Sequence, residues 1–312
     1  MGLLKSSCRF DAPCRFSKIV RRKIELPVDM STLPLLEDLG DVGGKRVLVR
    51  TDFNVPMSGA DDARVIVDDF RIVSALPTIK YLTERGATVV CASHLGRPKG
   101  APSAKYSMAP VRTKLAEVAP GVELLENLRF NPGEEANDPK FVAELVAGFD
   151  LYVDDAFGAT HRAHASIVGP PKTLPSAAGR LLQREIEVLG ALREKPNKPF
   201  VAVLGGAKVS DKIGVIEALQ ERVDAFIIGG GMCFTFLAAQ GYSVGDSICQ
   251  PELIDVCKKL LDGNVPIHLP EDLVGLDADG EYATYGIRLP KGAKGLDIGP
   301  GSAAAFTDII MD

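Results

Sequence analysis

Short, mostly apolar segments alternate with helical stretches through most of this sequence. Seven of them have the length of a β-strand: Val47–Val49, Thr88–Ala92, Val122–Leu125, Leu151–Val153, Phe200–Leu204, Ala225–Ile228 and Val265–His268. A strand that is apolar on both faces needs a cover on both faces, which is typical of parallel sheets with crossover helices. The pattern predicts an α/β fold with two Rossmann-like domains, each a parallel sheet covered by helices.

The chain has 312 residues, more than the roughly 250–300 at which single hydrophobic cores stop growing, so two domains are expected. Pro170, Pro171 and Pro175 precede a helical stretch at Ser176–Arg193, and the segment Lys195–Pro199 breaks it. We therefore predict a first domain over residues 30–175, a linker helix over 176–195 and a second domain over 196–312.

Residues 1–29 differ from the rest of the chain because basic residues dominate them. They contain seven Lys and Arg against three acidic residues, and no apolar segment of the kind that a secretory signal needs. An organelle transit sequence has this character. We favour the simpler interpretation that the segment is a disordered extension, or that translation begins at Met30.

The charge balance excludes a chain that grips nucleic acid with its overall field. Lys and Arg number 36 against 41 Asp and Glu, which gives a formal net charge of −5. Any anion must therefore be held by a local cluster of basic side chains. No apolar run approaches the ~20 residues of a membrane helix, so no membrane partner is expected.

Cysteine and histidine usage points to a reducing compartment without a structural metal. The six cysteines form no C-x-x-C pair, which favours reduced thiols in a cytoplasmic protein. Of the four histidines only His161 and His164 lie close together, with no Cys nearby. This spacing does not match a zinc site, and no metal ligand is predicted.

Polar residues that follow the strands of the first half form a basic set. In α/β sheets ligands bind beyond the carboxyl ends of the strands, so these residues become candidates. They are Asp52, Asn54, Arg71, His94, Arg97, Arg129, His161, Arg162 and His164. Guanidinium groups match phosphate and carboxylate oxygens bidentately, which predicts a small polyanion. Any one of these arginines alone is more typical of a surface ion pair, but four at strand ends favour a site.

The second half carries a different anion-binding feature. The segment Gly205-Gly206-Ala207-Lys208 follows a strand and precedes a predicted helix that also holds Lys212. Glycines allow a phosphate to approach the backbone. Lys208 and Lys212 lie four residues apart on one face at the start of the predicted helix, where two cations are unfavourable unless a polyphosphate neutralises them. Two solvated lysines are the alternative. The Walker loop and the G-x-G-x-x-G fingerprint are absent.

Seven segments together resemble the phosphoglycerate kinase family. They are Arg46–Pro56, Ser93–Pro98, Leu124–Phe130, Asp154–Ser166, Gly205–Lys212, Gly229–Phe236 and Gly295–Pro300, and they occur in the family's order. The resemblance implies reversible phosphoryl transfer between 1,3-bisphosphoglycerate and ADP, giving 3-phosphoglycerate and ATP in glycolysis. It also implies a monomer, with Mg²⁺ carried by the nucleotide.

The resemblance assigns roles to individual residues. For 3-phosphoglycerate it implies Asp52, Phe53, Asn54, Arg71, His94, Leu95, Gly96, Arg97, Arg129 and Arg162. For the nucleotide it implies Gly205, Gly206, Ala207, Lys208, Lys212, Gly230, Gly295 and Leu296. For the transferring phosphoryl group we expect Arg71, Lys208 and Lys212.

Several features depart from the family pattern. One strand–helix unit expected before Arg129 is missing, because Tyr106–Val118 passes almost directly to Pro120. The sequence ends before the family's Asn-Gly-Pro segment, acidic nucleotide contact and Gly-Gly-Gly-Asp-Thr loop, so an incomplete second domain, an exposed apolar sheet edge and weak or absent activity are expected. Asp154 stands where the family usually has Asn. The alternatives are a non-catalytic 3-phosphoglycerate-binding protein and a kinase for another phosphorylated hydroxy acid.

Overall fold

The structure, a computed structural model, describes residues 33–61 and 63–311. The basic segment over residues 1–29 lies outside the described residues. The chain divides into two compact units, Met1–Ile186 and Glu187–Asp312. The boundary between the units falls inside one helix, Arg180–Glu194.

The first unit is built on a five-stranded parallel sheet. In chain order the strands of the unit are β1 (Arg46–Arg50), β2 (Met57–Ser58), β3 (Val65–Ile66), β4 (Thr88–Ala92), β5 (Glu123–Leu124), β6 (Leu151–Asp154) and β7 (Ser176–Ala178). The helices are α1 (Phe70–Ser74), α2 (Leu76–Thr83), α3 (Ala109–Val118), α4 (Pro132–Ala136), α5 (Pro139–Val146), α6 (Phe157–Thr160), α7 (Ala165–Val168) and α8 (Arg180–Glu194). The sheet order is β5-β4-β1-β6-β7, and β2 and β3 form a separate antiparallel hairpin.

Strand β1 lies at the centre of this sheet because it is apolar on both faces. Val47 and Val49 belong to the larger hydrophobic core. Leu48 belongs with Tyr152 to a second, smaller hydrophobic cluster. All three β1 side chains have 0% exposure. Each such buried side chain contributes roughly 1.5–3 kcal/mol to stability.

The parallel register brings the carboxyl ends of three strands to one edge. Arg50, the last residue of β1, is aligned with Ala92 of β4 and with Asp154 of β6. The loops that follow these strands therefore leave the sheet side by side. This edge is the place where α/β sheets bind ligands.

The second unit combines a parallel and an antiparallel sheet. Its strands are β8 (Val201–Leu204), β9 (Ala225–Ile228), β10 (Ile267–His268), β11 (Asp272–Leu276), β12 (Tyr282–Gly286) and β13 (Lys294–Ile298). Its helices are α9 (Ile213–Leu219), α10 (Cys233–Ala239), α11 (Ile254–Leu261) and α12 (Pro300–Met311). The parallel sheet has the order β10-β9-β8 and the antiparallel sheet β12-β11-β13. Val203, on the edge strand β8, is 60% exposed.

The strands predicted from apolar runs occur in the structure, β4 and β9 with the predicted limits. The helix predicted over Ser176–Arg193 is wrong at its start. Residues Ser176–Ala178 pair with β6 as the fifth strand instead, and the helix begins at Arg180. The carboxylate of Asp155 accepts hydrogen bonds from the backbone N–H groups of Leu181 and Leu182, which fixes the helix start after the strand.

None of the helices in the described part of the chain is both long and apolar enough to cross a membrane.

Each unit has its own hydrophobic core, which predicts that core truncations act locally. Leu82 and Leu237 are 0% exposed and belong to the cores of the first and second units. We expect L82A and L237A to cost about 3 kcal/mol each, from lost burial and the cavity left behind. Hydrogen exchange by mass spectrometry should show the loss of protection in the mutated unit. V203A, at an exposed apolar position, serves as the control, and equal loss in both units from either core variant would contradict the prediction.

Candidate active site

The carboxyl edge of the five-stranded sheet carries most of the predicted basic residues. Asp52, Phe53 and Asn54 follow β1, and the segment His94–Arg97 follows β4. Arg129 lies in a short 3-10 helix, Leu128–Phe130, after β5. Their common origin at strand ends explains why residues far apart in sequence meet here.

Arg71 pairs with Asp52 at this edge. The Arg71 guanidinium donates a hydrogen bond to Asp52 Oδ2. The Arg71 side chain is 48% exposed and that of Asp52 only 10%. Gly158 lies against the same carboxylate, and a Cβ there would collide with Asp52 Oδ2. The buried carboxylate thus holds a guanidinium that remains accessible to a ligand.

Three side chains fix the loop that follows β4. Asn54 Oδ1 accepts a hydrogen bond from the Gly96 N–H at 2.8 Å. Arg129 Nη1 donates to the Gly96 carbonyl, also at 2.8 Å. Asn127 bonds both the N–H and the carbonyl of Leu95. The loop is therefore rigid, and Arg129 is part of the scaffold as well as a candidate ligand-binding residue.

Arg129 is a buried cation near the carboxylates of Glu135 and Glu134. It is 4% exposed, and its Nε lies 3.4 Å from Glu135 Oε1. Burial lowers its pKa, and Arg162 and Arg50 lower it further, while Glu135 opposes the shift. An arginine stays protonated in proteins, and the neighbouring guanidinium groups that lower its pKa also make this place favourable for an anion.

His94 is held neutral among these arginines. It is 6% exposed, and burial lowers its pKa to about 2, with Arg50, Arg129, His164 and Arg162 acting in the same direction. Its Nδ1 lies 3.2 Å from Arg50 Nη2. The cluster thus contains an imidazole that can bond a ligand without adding charge.

Arg162 and Arg97 complete the predicted set with different surroundings. Arg162 is close enough to His94 and Arg129 to lower the pKa of both, and its Nε bonds His161 Nε2 at 3.2 Å. Arg97 is exposed and has no hydrogen bond or ion pair with the described residues. The structure therefore brings Arg162 together with the cluster, and it leaves Arg97 at the loop end with a free guanidinium.

Sequence reasoning missed three buried polar residues behind this edge. Arg50 and Glu134 are 0% exposed and Ser166 is 1% exposed, and they are joined by hydrogen bonds. The signal for Arg50 was present, since it ends an apolar strand in line with the other cluster residues. Glu134 lies in a short helix among polar residues, and no pattern distinguished it.

In the second unit the loop after β8 exposes unpaired backbone donors. Gly205, Gly206, Ala207 and Lys208 are all exposed. The N–H groups of residues 206–208 donate no hydrogen bond to the described residues. Gly206 has φ +143°, and its carbonyl accepts from the Met232 N–H at 2.8 Å. Free amides in a row form a concavity suited to phosphate oxygens.

Gly230 packs directly on this loop. It has φ +64°, and a Cβ there would lie 2.9 Å from the Gly206 nitrogen and 3.1 Å from its oxygen. Only glycine fits so close a backbone approach at a left-handed φ. The Gly230 N–H donates to Asp297 Oδ1 at 2.9 Å, an acidic partner that the sequence did not indicate.

The predicted arrangement of the two lysines is wrong. They do not lie on one face of a single helix. A 3-10 turn, Val209–Asp211, lies between them, so that Lys208 precedes the turn and Lys212 directly precedes α9. A 3-10 turn is a common helix start, and in this turn the Ser210 N–H donates to Gln250 Oε1 at 3.0 Å. Lys212 Cε still lies 3.8 Å from where a Gly206 Cβ would be. Neither ammonium forms an ion pair within the described part of the chain.

Gly295 and Leu296 lie on β13. Gly295 is buried, and a Cβ on it would collide with the Phe234 ring, so close packing already requires glycine there. Leu296 is 45% exposed. Among residues 33–61 and 63–311 no group of three His, Cys, Asp or Glu side chains is placed to hold a metal ion.

Comparison with known proteins gives one consistent family. The sequence model of the phosphoglycerate kinase family matches residues 36–123 and 119–312. The two matched pieces meet at residues 119–123, where one strand–helix unit was expected to be missing.

Individual relatives agree. The phosphoglycerate kinase of Parafrankia sp. (strain EAN1pec) is 49% identical over 88% of this chain and 78% of its own length. The solved structure of phosphoglycerate kinase from Coxiella burnetii is 36% identical with a TM-score of 0.74, covering 89% of this chain and 77% of that one. That from Pyrococcus horikoshii OT3 is 28% identical with a TM-score of 0.75, covering 89% and 78%.

Asp154, at the end of β6, yields a stability prediction. Burial raises its pKa to about 6, against the opposing effects of the Ala156 N–H and Arg50. Because the folded-state pKa lies above the unfolded value, stability is lost as pH rises through this window. We expect D154N to stabilise the protein by roughly 2 kcal/mol at pH 8 and by less at pH 5.

Urea unfolding at the two pH values measures this difference. D61N, at an exposed aspartate in the same unit, is the matched control. A D154N effect that is independent of pH would contradict the burial argument.

Proposed function

This chain belongs to the phosphoglycerate kinase family, and we propose that it transfers a phosphoryl group reversibly between 1,3-bisphosphoglycerate and ADP, giving 3-phosphoglycerate and ATP in glycolysis. The observation that carries the proposal is the convergence of Arg71, Arg129, Arg162 and His94 at one sheet edge. Such a cluster suits a small acid that carries a phosphate.

In this proposal the acid binds at the edge of the first sheet. Arg129, Arg162 and Arg97 hold its phosphate and carboxylate oxygens, and His94 donates a further hydrogen bond. Asp52 and the amide nitrogen of Asn54 contact the hydroxyl group. Phe53, Leu95 and Gly96 supply the fixed backbone around it. The loop's internal hydrogen bonds support this assignment, because preformed donors lose little entropy on binding.

The nucleotide is proposed to bind in the second unit. The free amides of residues 206–208 suit its phosphates, with Gly205 beside them and Gly230 packed on the loop. Gly295 and Leu296 are proposed to lie further along the site. Mg²⁺ arrives on the nucleotide as part of the substrate.

The transfer step needs positioning rather than covalent chemistry from the protein. The bond between the acyl oxygen and phosphorus breaks as an oxygen of the ADP β-phosphate bonds to phosphorus, and the electron pair stays on the carboxylate. No proton has to move. Arg71, Lys208 and Lys212 are proposed to stabilise the charge on the equatorial oxygens of the transferring group.

We also propose a cytoplasmic monomer. The four cysteines in the described part of the chain, Cys91, Cys233, Cys249 and Cys257, are free thiols, as expected in a reducing compartment.

Arg71 provides the first test. We expect R71A to lower kcat for ATP formation from 1,3-bisphosphoglycerate and ADP by about 10²–10³, in line with the loss of one charge-stabilising donor. The effect on KM should be smaller, because Arg71 is assigned to the transferring group. R184A, at an exposed arginine of α8, is the control. Full activity of R71A would contradict the assignment. If the wild type binds 3-phosphoglycerate saturably but forms no ATP, a non-catalytic binding protein is favoured instead.

Gly230 provides a second test, on the nucleotide site. G230A should weaken ADP binding at least tenfold, because a Cβ at this φ would push the Gly206 backbone away. Calorimetric titration with Mg-ADP measures the change. G286A is the control, since nothing lies within 4 Å of a Cβ there. Unchanged ADP affinity in folded G230A would remove this loop from the proposed nucleotide site.

A further inference from the structure

A buried carboxylate lies behind the basic cluster without touching any of its arginines directly. Glu134, in α4, has 0% exposure. Its Oε1 accepts the Ser166 hydroxyl at 2.6 Å and its Oε2 accepts the Ser166 N–H at 2.9 Å. His164 Nδ1 lies 3.8 Å from its Oε1, and Glu134 is close enough to Arg129 to oppose the lowering of the pKa of that guanidinium. An ionised group buried to this extent needs a nearby positive charge.

Ser166 connects this carboxylate to Arg50. The Ser166 hydroxyl donates a hydrogen bond to Glu134 and accepts one from Arg50 Nε at 2.8 Å. The Ser166 carbonyl accepts from the Tyr152 hydroxyl at 2.7 Å, which fixes the serine backbone. Arg50 forms no direct ion pair with the described residues. Its Nη1 also donates to the Thr51 carbonyl, and Asp154 is close enough for the Arg50 charge to lower the pKa of that carboxyl.

Arg50 in turn determines the tautomer of His94. A guanidinium only donates, so the contact at 3.2 Å requires a lone pair on His94 Nδ1. The proton of the neutral ring is then on Nε2, which has no partner among the described residues. The charged groups around His94 are Arg50, Arg129, Arg162 and Asp52, whose Oδ1 is 4.0 Å from Nδ1, together with His164. The low pKa of His94 is in keeping with this neutral form.

We infer that Glu134 and Ser166 are positioning residues for the acid-binding site: they hold Arg50, and Arg50 keeps His94 as a neutral Nε2–H donor for the bound anion. The ligand named, 3-phosphoglycerate, rests on the proposed function. A buried charge network is commonly no more stable than an apolar replacement, so its place behind the cluster calls for a role beyond stability. Its role is to present a directed hydrogen bond that does not titrate.

The experiment is long-range ¹H–¹⁵N correlation NMR of the ¹⁵N-histidine-labelled chain between pH 5 and pH 8. The chain has four histidines, and H161Q, H164Q and H268Q assign three of them, which leaves His94 as the fourth. In the wild type we expect His94 to show the Nε2–H tautomer with no titration. In S166A and E134Q we expect a mixture of tautomers, because Ser166 and Glu134 then no longer position Arg50 against His94 Nδ1.

Binding of 3-phosphoglycerate is measured on the same samples. S166A should weaken it about tenfold, as expected for one misplaced hydrogen bond to a charged ligand, with Mg-ADP affinity unchanged. S103A and E144Q change an exposed serine and an exposed glutamate in the same unit and should behave as wild type. Circular dichroism establishes that each variant is folded.

Three results would overturn the inference. They are an Nδ1–H or charged His94 in the wild type, an unchanged tautomer in folded S166A and E134Q, and unchanged acid affinity in S166A. If both variants fail to fold, the wild-type tautomer alone decides. If His94 behaves as expected but the wild type does not bind 3-phosphoglycerate, the proposed function fails while the hydrogen-bonded network stands.

Discussion

The parallel pairing of β1 with β4 and β6 is the constraint on which the candidate site depends. The register aligns Arg50 with Ala92 and Asp154, so three functional loops leave the sheet at one edge. Apolar side chains on both faces of β1 fix that register. A slip by one residue would exchange the two cores and move Arg50 away from His94. The hydrophobic core thereby sets the geometry of the charged site.

The cations at this edge divide into fixed and accessible groups. Arg50 and Arg129 are buried and hold backbone or imidazole groups, so they shape the site. Arg71 is 48% exposed although it pairs with Asp52, and Arg97 has no partner among residues 33–61 and 63–311, so both guanidinium groups are accessible to a ligand. A bound anion would therefore contact both fixed and adjustable hydrogen-bond donors. The fixed donors favour one ligand shape, and the accessible guanidinium groups can adjust their contacts to it.

Features of the fold and of the candidate site that depend on apolar periodicity or on strand ends could be predicted from the sequence. The strands β4 and β9, and the positions of Asp52 and His94 after their strands, followed from these patterns. The antiparallel sheet β11–β13 was not predicted, because strands such as β12 alternate weakly and leave Tyr282 68% exposed. The prediction of a single helix over Lys208 and Lys212 was wrong because a 3-10 turn lies between them, and the bond from the Ser210 N–H in that turn to Gln250, distant in sequence, leaves no local pattern. Glu134 could not be recognised from the sequence for the same reason: its hydrogen-bond partner, Ser166, lies thirty-two residues away.

In the proposed function the two units hold anions by different physical means, and both suit a reaction that moves no proton. The first uses guanidinium side chains, whose direction depends on carboxylate and hydroxyl partners. The second uses backbone amides, which cost no side-chain entropy and depend on glycines such as Gly230. The buried thiols offer no competing nucleophile, because burial raises the pKa of Cys233 to about 12 and that of Cys91 further. With His94 neutral, the groups that remain can orient phosphate oxygens and disperse their charge, which is what phosphoryl transfer requires.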